Sequence, residues 1–263
     1  MSKLLFFDID GTLIDCNKGI YEISSVNQKS LDTLKENGHD VFLATGRCQC
    51  FITEGVYRYP FSGYVTCNGG YVEYKKQPIF KAIVPSIAIK ETMRLAEELD
   101  LDYYFEANDY IYIRNKKNPK HIAFASRWGM KEETVIDDFD PDEIETYIGM
   151  IVVNDTQDIP LMKERLSPYF DIQRHQSEIS FDLTLKGVSK AIGIQKLVEA
   201  LNKDMKDTIA FGDGRNDVEM LETVGTGVAM KNAMEEALEA ADEICDSVEN
   251  DGITSWLKNK GLI

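Results

Sequence analysis

Short apolar runs alternate with amphipathic stretches through the first and last parts of this chain, and that succession leaves few folds open. Residues 4–7, 41–44, 64–66, 209–211 and 228–230 are too short for helices and read as buried strands. Between the first two, residues 19–37 carry Leu31 and Leu34 on one side before Gly38 ends the helix. Ser189 is placed to cap a helix through Ile194, Leu197, Val198 and Leu201, and residues 216–224 and 233–241 read as further helices. Strand–helix–strand succession of this kind predicts a parallel sheet covered by helices on both faces.

The middle follows another rhythm. Helices are expected at 86–99, 119–128 and 159–166, and strands at 103–107, 110–114, 146–153, 170–174 and 179–185. Paired strands flanked by helices predict antiparallel pairing in an α+β insert. The expected fold is therefore α/β: a Rossmann-like parallel-sheet core of residues 1–82 and 183–263, with a large inserted α+β domain at 83–182. The chain has 263 residues, room for about two domains at ~100–200 residues each.

Charge and cysteine usage exclude several functions. Lys and Arg number 29 against 45 Asp and Glu, a net charge of −16. A chain this acidic repels phosphate backbones and anionic lipid, so no nucleic-acid partner is expected. Cys16, Cys48, Cys50, Cys67 and Cys245 are odd in number and form no C-x-x-C pair, which suggests reduced thiols rather than disulfides or zinc. His39, His121 and His175 are too far apart in sequence for a ligand pair. The apolar start is too short for a signal peptide, and no stretch nears the ~18 apolar residues of a membrane helix. The expectation is a cytoplasmic protein with no membrane association and no obligate protein partner.

Four of the five core strands end in polar clusters: Asp8-Ile9-Asp10-Gly11-Thr12, Thr45-Gly46-Arg47, Asn68-Gly69-Gly70 and Gly212-Asp213-Gly214-Arg215-Asn216-Asp217. Ligands of open parallel sheets bind beyond the carboxyl ends of the strands, so these clusters should converge. Asp8 follows four apolar residues, a costly place for an unpaired carboxylate. Asp8, Asp213 and Asp217 brought together need a cation, and all-oxygen donors favour a hard one, Mg²⁺ first. A carboxylate beside such an ion can attack phosphorus. Asp10 could protonate the leaving oxygen and then take a proton from water. Thr45 and the Gly46 amide offer neutral donors to phosphate, and Lys190 a positive charge. A calcium loop fails on spacing, because its glycine belongs sixth and its glutamate twelfth, whereas Gly11 comes fourth and Gly19 twelfth.

These motifs resemble those of the haloacid-dehalogenase-like hydrolases. Asp8–Thr12 matches the first motif, Thr45-Gly46-Arg47 the second, Lys190 the third and Gly212–Asp217 the fourth. The later Gly227-Val228-Ala229-Met230-Lys231-Asn232-Ala233 and the insert after Asn68-Gly69-Gly70 are similar to the Cof-type phosphatases, in which a large α/β cap enters after the third core strand. The resemblance implies a Mg²⁺-dependent phosphatase of small phosphorylated metabolites, sugar phosphates first, working through an aspartyl-phosphate. It implies Asp8 as nucleophile and Asp10 as acid and base. Metal ligands would be Asp8, Asp10, Asp213 and Asp217. Ile9, Thr45, Gly46, Lys190, Asn216 and Asn232 would hold the phosphoryl group. Two rivals stand beside this reading: a phosphomutase acting on hexose phosphates, which uses the same Asp8 and Asp10, and a phosphosugar sensor without turnover, against which the intact Asp8 and Asp10 argue. Dehalogenation is disfavoured, since a halide leaves unprotonated and gives Asp10 no task. In the insert, Tyr103, Tyr104, Phe105, Tyr110 and Tyr112 suggest a substrate-stacking surface, with alternate strand positions given over to core.

Overall fold

The structure, a computed structural model, describes residues 2–128, 130–175 and 179–263. They form two compact units. The first joins Met1–Gly46, Ile52–Phe80 and Ser189–Ile263; the second joins Arg47–Phe51 and Lys81–Val188. A cut after residue 182 would split a strand, because the last strand of the insert runs over Ser180–Leu185 and pairs along that length with Phe170–Arg174.

The first unit begins with β1 (Leu4–Phe7), α1 (Ser25–Glu36), β2 (Asp40–Ala44), α2 (Glu54–Tyr57), β3 (Gly63–Thr66), β4 (Tyr71–Tyr74) and β5 (Gln77–Lys81). The second unit carries α3 (Ser86–Leu99), β6 (Asp102–Glu106), β7 (Ile111–Ile113), α4 (Pro119–Trp128), β8 (Val135–Ile136), β9 (Ile148–Val152), α5 (Ile159–Leu166), β10 (Phe170–Arg174) and β11 (Ser180–Leu185). The first unit resumes with α6 (Lys190–Ala200), β12 (Thr208–Gly212), α7 (Val218–Thr223), β13 (Thr226–Met230), α8 (Glu235–Ala240), β14 (Glu243–Cys245) and α9 (Gly252–Asn259).

The core sheet has the order β14-β13-β12-β1-β2-β3-β4-β5. It is parallel from β14 through β3, and β4 pairs antiparallel with β3. The uniformly apolar strands follow from helices on both faces. Leu5 and Phe7 pack with Leu31 and Leu34 of α1 and with Ile253 and Leu257 of α9. Leu4 and Phe6 pack with Ile194 and Leu197 of α6 and with Met220 of α7. Each of these side chains, fully buried, contributes about 1.5–3 kcal/mol. No helix among the described residues is long and apolar enough to cross a membrane, and the five cysteines form no disulfide.

The insert's sheet has the order β10-β11-β9-β6-β7-β8, antiparallel except between β7 and β8. Period-two alternation divides the aromatic cluster. Tyr103 and Phe105 are core, packed with Leu95 of α3 and Met162 of α5. Tyr104, on the other face, is buried against His121 and Phe124 of α4. Tyr112 meets Phe139 edge-on, and Tyr110 alone of the five is exposed. The expected stacking surface is therefore mostly interior.

Glu106 shares the Tyr104 face and is also buried. Burial, then the nearby Asp182 charge, raise its pKa from 4.5 to about 7 against hydrogen bonds from Cys48. A carboxyl whose proton affinity rises on folding stabilises the fold below its unfolded pKa, and that contribution is lost as pH climbs through the folded value. Glu106→Gln is therefore expected to match the native protein at about pH 5 and to exceed it at about pH 8.5 by up to about 3 kcal/mol. Denaturation curves at both pH values check this; a difference that does not grow with pH contradicts it.

Candidate active site

The chain leaves β1 in both lateral directions, to β2 and β3 on one side and, after the insert, to β12–β14 on the other. Such a reversal opens a crevice at the carboxyl ends of the adjoining strands. Asp8 stands there, its amide donating to the Phe211 carbonyl at 3.0 Å and so prolonging the β1–β12 ladder by one residue. The chain then turns sharply. The Ile9 carbonyl accepts the amides of Leu13 and Ile14, each at 3.0 Å, and Gly11 has φ +83°. A Cβ on Gly11 would lie 2.0 Å from Asp213 Oδ2, so that position admits only glycine. Asp10 is exposed, while Asp8 is buried.

Lys190 opens α6, behind the N-cap Ser189, whose hydroxyl accepts the Ile192 amide. Its side chain is fully buried, and Nζ donates to Asp8 Oδ1 and to Asp217 Oδ1, both at 2.6 Å. The other Asp217 oxygen accepts the amides of Asp213 (3.0 Å) and Gly214 (2.9 Å). Thr12 Oγ1 donates to Asp213 Oδ1 at 3.1 Å. Two glycines let α6 come this close to the loop after β3. A Cβ on Gly69 would meet the Ser189 carbonyl at 2.0 Å, and one on Gly193 the Gly69 Cα at 2.9 Å.

A second group forms beside these. Cys67 and Asn68 both take left-handed backbone angles, φ 55° and 51°, which cost of order 1–3 kcal/mol each in residues other than glycine. Asn68 is buried there, and Asn216 Nδ2 donates to its Oδ1 at 3.0 Å. Gly46 adjoins both: a Cβ there would lie 3.0 Å from Asn68 Oδ1 and 3.5 Å from Asn216 Nδ2. Thr45, buried at the end of β2, accepts the Asn68 amide on its carbonyl at 3.1 Å. Asn232 Nδ2 donates to the Gly11 carbonyl at 2.7 Å, so this side chain braces the turn after Asp8. Asn68 and Thr12 were absent from the expected site residues; their only sequence signal is membership of the strand-end clusters. Arg215 pairs with Glu236 on the surface.

The electrostatics ask for positive charge. Oxygens of Asp8, Asp213 and Asp217 lie within 4.8 Å of one another, and Lys190 is the one cation bonded to the cluster among the described contacts. Burial raises Asp8 to about 7, opposed first by the Lys190 charge. Burial and the Asp8 charge raise Asp213 to about 8. Asp217 and Asp8 outweigh desolvation at Lys190 and push its pKa up. Two buried carboxylates and a half-buried third facing one lysine, with only oxygen donors, fit a hard divalent cation.

The sequence model of the haloacid dehalogenase-like hydrolases matches residues 5–257. The chain is 35% identical over 262 residues to YkrA of Bacillus subtilis, covering 100% of this chain and 99% of that protein. It is 26% identical over 267 residues to the 5-amino-6-(5-phospho-D-ribitylamino)uracil phosphatase YitU of Bacillus subtilis, covering 97% and 96% of the two chains. Among solved structures, the HAD subclass IIB sugar phosphatase BT4131 matches with a TM-score of 0.85 at 26% identity, covering 100% of both chains.

Proposed function

Because this chain belongs to the haloacid dehalogenase-like hydrolases of the Cof type, and is a hydrolase of phosphate esters, we propose that it frees phosphate from small phosphorylated metabolites through a phosphoryl group carried on Asp8. The observation that carries this reading is the bridge from Lys190 to Asp8 and Asp217 beside Asp213 at the carboxyl end of β1. A lysine bonded to a buried carboxylate favours its ionised, nucleophilic form.

In the first step an Asp8 oxygen bonds to phosphorus as the ester P–O bond breaks, and Asp10 gives its proton to the departing oxygen. In the second, Asp10 takes a proton from water, whose oxygen bonds to phosphorus as the P–O bond to Asp8 breaks. Gly46, Thr45, Asn216 and Lys190 offer donors to the phosphoryl oxygens, as does the backbone at Ile9, and Asn232 keeps the Gly11 turn in place. Asp8, Asp213 and Asp217, with the Asp10 carbonyl, would hold Mg²⁺, which would offset the negative charge of Asp8 and of the incoming phosphate. We assign substrate choice to the insert, and place sugar phosphates first because the relatives named above include a sugar phosphatase and a phosphatase of a phosphoribityl compound.

A screen of phosphorylated metabolites for phosphate release tests this directly. Activity should vanish in excess chelator and return with Mg²⁺, while Ca²⁺, with its looser and more numerous ligands, should support little. Full activity in chelator contradicts the metal assignment. Asp10→Asn should lose most with sugar phosphates, whose alkoxides need a proton, and least with an aryl phosphate, whose leaving group does not. Equal losses on both would remove Asp10 from the acid role.

A further inference from the structure

Two thiols of the second unit, Cys48 and Cys50, stand with their sulfurs 3.5 Å apart. They flank Gln49 in a tight turn, Gln49–Phe51. Other bonds pin that turn. Arg47, itself buried, donates to the Phe51 carbonyl at 3.1 Å and lies over the Phe51 ring, and the Cys50 amide donates to the Asn108 carbonyl at 2.9 Å. The two thiols differ in environment. Cys50 is half-buried; Cys48 is buried, with its thiol and amide both hydrogen-bonded to the Glu106 carboxyl.

We propose that Cys48 and Cys50 are a redox site, closing to a reversible disulfide on reaction with hydroperoxides and thereby disturbing the adjoining Thr45-Gly46 loop. The Cys50 thiolate attacks the peroxide, its sulfur gaining an S–O bond as the O–O bond breaks, and the departing hydroxide or alkoxide takes up the proton that the thiol had lost, leaving as water or an alcohol. Cys48 then gives its proton to Glu106 and its sulfur attacks Cys50. The S–S bond forms as the S–O bond breaks, and hydroxide leaves to take up the proton as water. The sum is two thiols and one hydroperoxide giving a disulfide and two waters, or one water and an alcohol. Glu106, raised to about 7 chiefly by burial, is suited to hold that proton near neutral pH. The geometry favours this pair because the resolving thiol is already in contact with the attacking one. Closing the bond draws the sulfurs roughly 1.4 Å nearer. Cys48 lies two residues after Gly46, so the displacement passes along the backbone through Arg47 to that loop. The effect on catalysis rests on the phosphate-binding role proposed for Thr45 and Gly46; the thiol chemistry does not.

The test treats the native protein with hydrogen peroxide, blocks remaining thiols with N-ethylmaleimide and maps the peptides. The one holding both cysteines should have lost two hydrogens and escaped alkylation, with dithiothreitol restoring both. The apparent KM for p-nitrophenyl phosphate should rise at least about threefold on oxidation, as binding of the phosphoryl group weakens, and fall back on reduction. Cys50→Ser should keep the basal activity and lose the peroxide response. Full alkylation of both thiols after peroxide overturns the site, as does Cys50 taking up oxygen while Cys48 remains alkylated. A disulfide that forms with no change in KM overturns the coupling to the loop, whether or not Asp8 is the nucleophile.

Discussion

Replacing Lys190 by methionine is expected to destabilise the protein by about 3–5 kcal/mol when divalent cations are chelated, because removing one partner strands buried charge. Lys190 is bonded to Asp8 and Asp217 at 2.6 Å each and is fully buried. Without it, the oxygens of Asp8, Asp213 and Asp217 lie within 4.8 Å of one another with no cation bonded to them among the described contacts. Two additions should return part of the loss: a divalent cation, and acid sufficient to protonate Asp8 and Asp213. Thermal melts with chelator, with Mg²⁺ and at lowered pH check all three parts. An unchanged melting temperature in chelator would show that the lysine does not hold the carboxylates together.

Asp8→Asn is expected to do the reverse, ending activity while sparing the fold. The amide is a poor nucleophile, so phosphate release should fall below about a hundredth of the native rate. Burial works against the ionised carboxylate that Asp8 carries, so its neutral isostere should melt no lower than the native protein in chelator. A variant that retains a larger share of the rate removes Asp8 from the nucleophile's place. One that loses activity by unfolding gives Asp8 a structural role instead.

Much of this was readable from the residues because a sheet buried on both faces leaves near-continuous apolar strands, and β1, β2, β12 and β13 are of that type. The polar clusters stood out by interrupting those runs where a parallel sheet places its ligands. Other features carry no such pattern. The turn between β4 and β5 is Lys75-Lys76, both at positive φ, where the common hairpin signal is Asn-Gly, so the added strand pair went unread. β14 is three residues long with Ile244 exposed at its centre, and α9 begins after Asp251 in a left-handed conformation. Asn68 owes its place to two consecutive left-handed residues that no propensity favours. Arg47–Phe51 joins the second unit through contacts such as Cys50 to Asn108, distant in sequence and invisible to periodicity. The face that each tyrosine of β6 takes followed from alternation, but which face meets helices depended on α3, α4 and α5 together.

The phosphoryl group on Asp8 can be sought directly. Turnover of a sugar phosphate in Mg²⁺, stopped within the first seconds by acid and followed by peptide mapping, should show a phosphoryl group on the peptide containing Asp8, removed by hydroxylamine as expected of an acyl phosphate. A phosphoryl group on any other side chain, or its absence from Asp8 throughout steady turnover and in a single-turnover time course, would contradict the account.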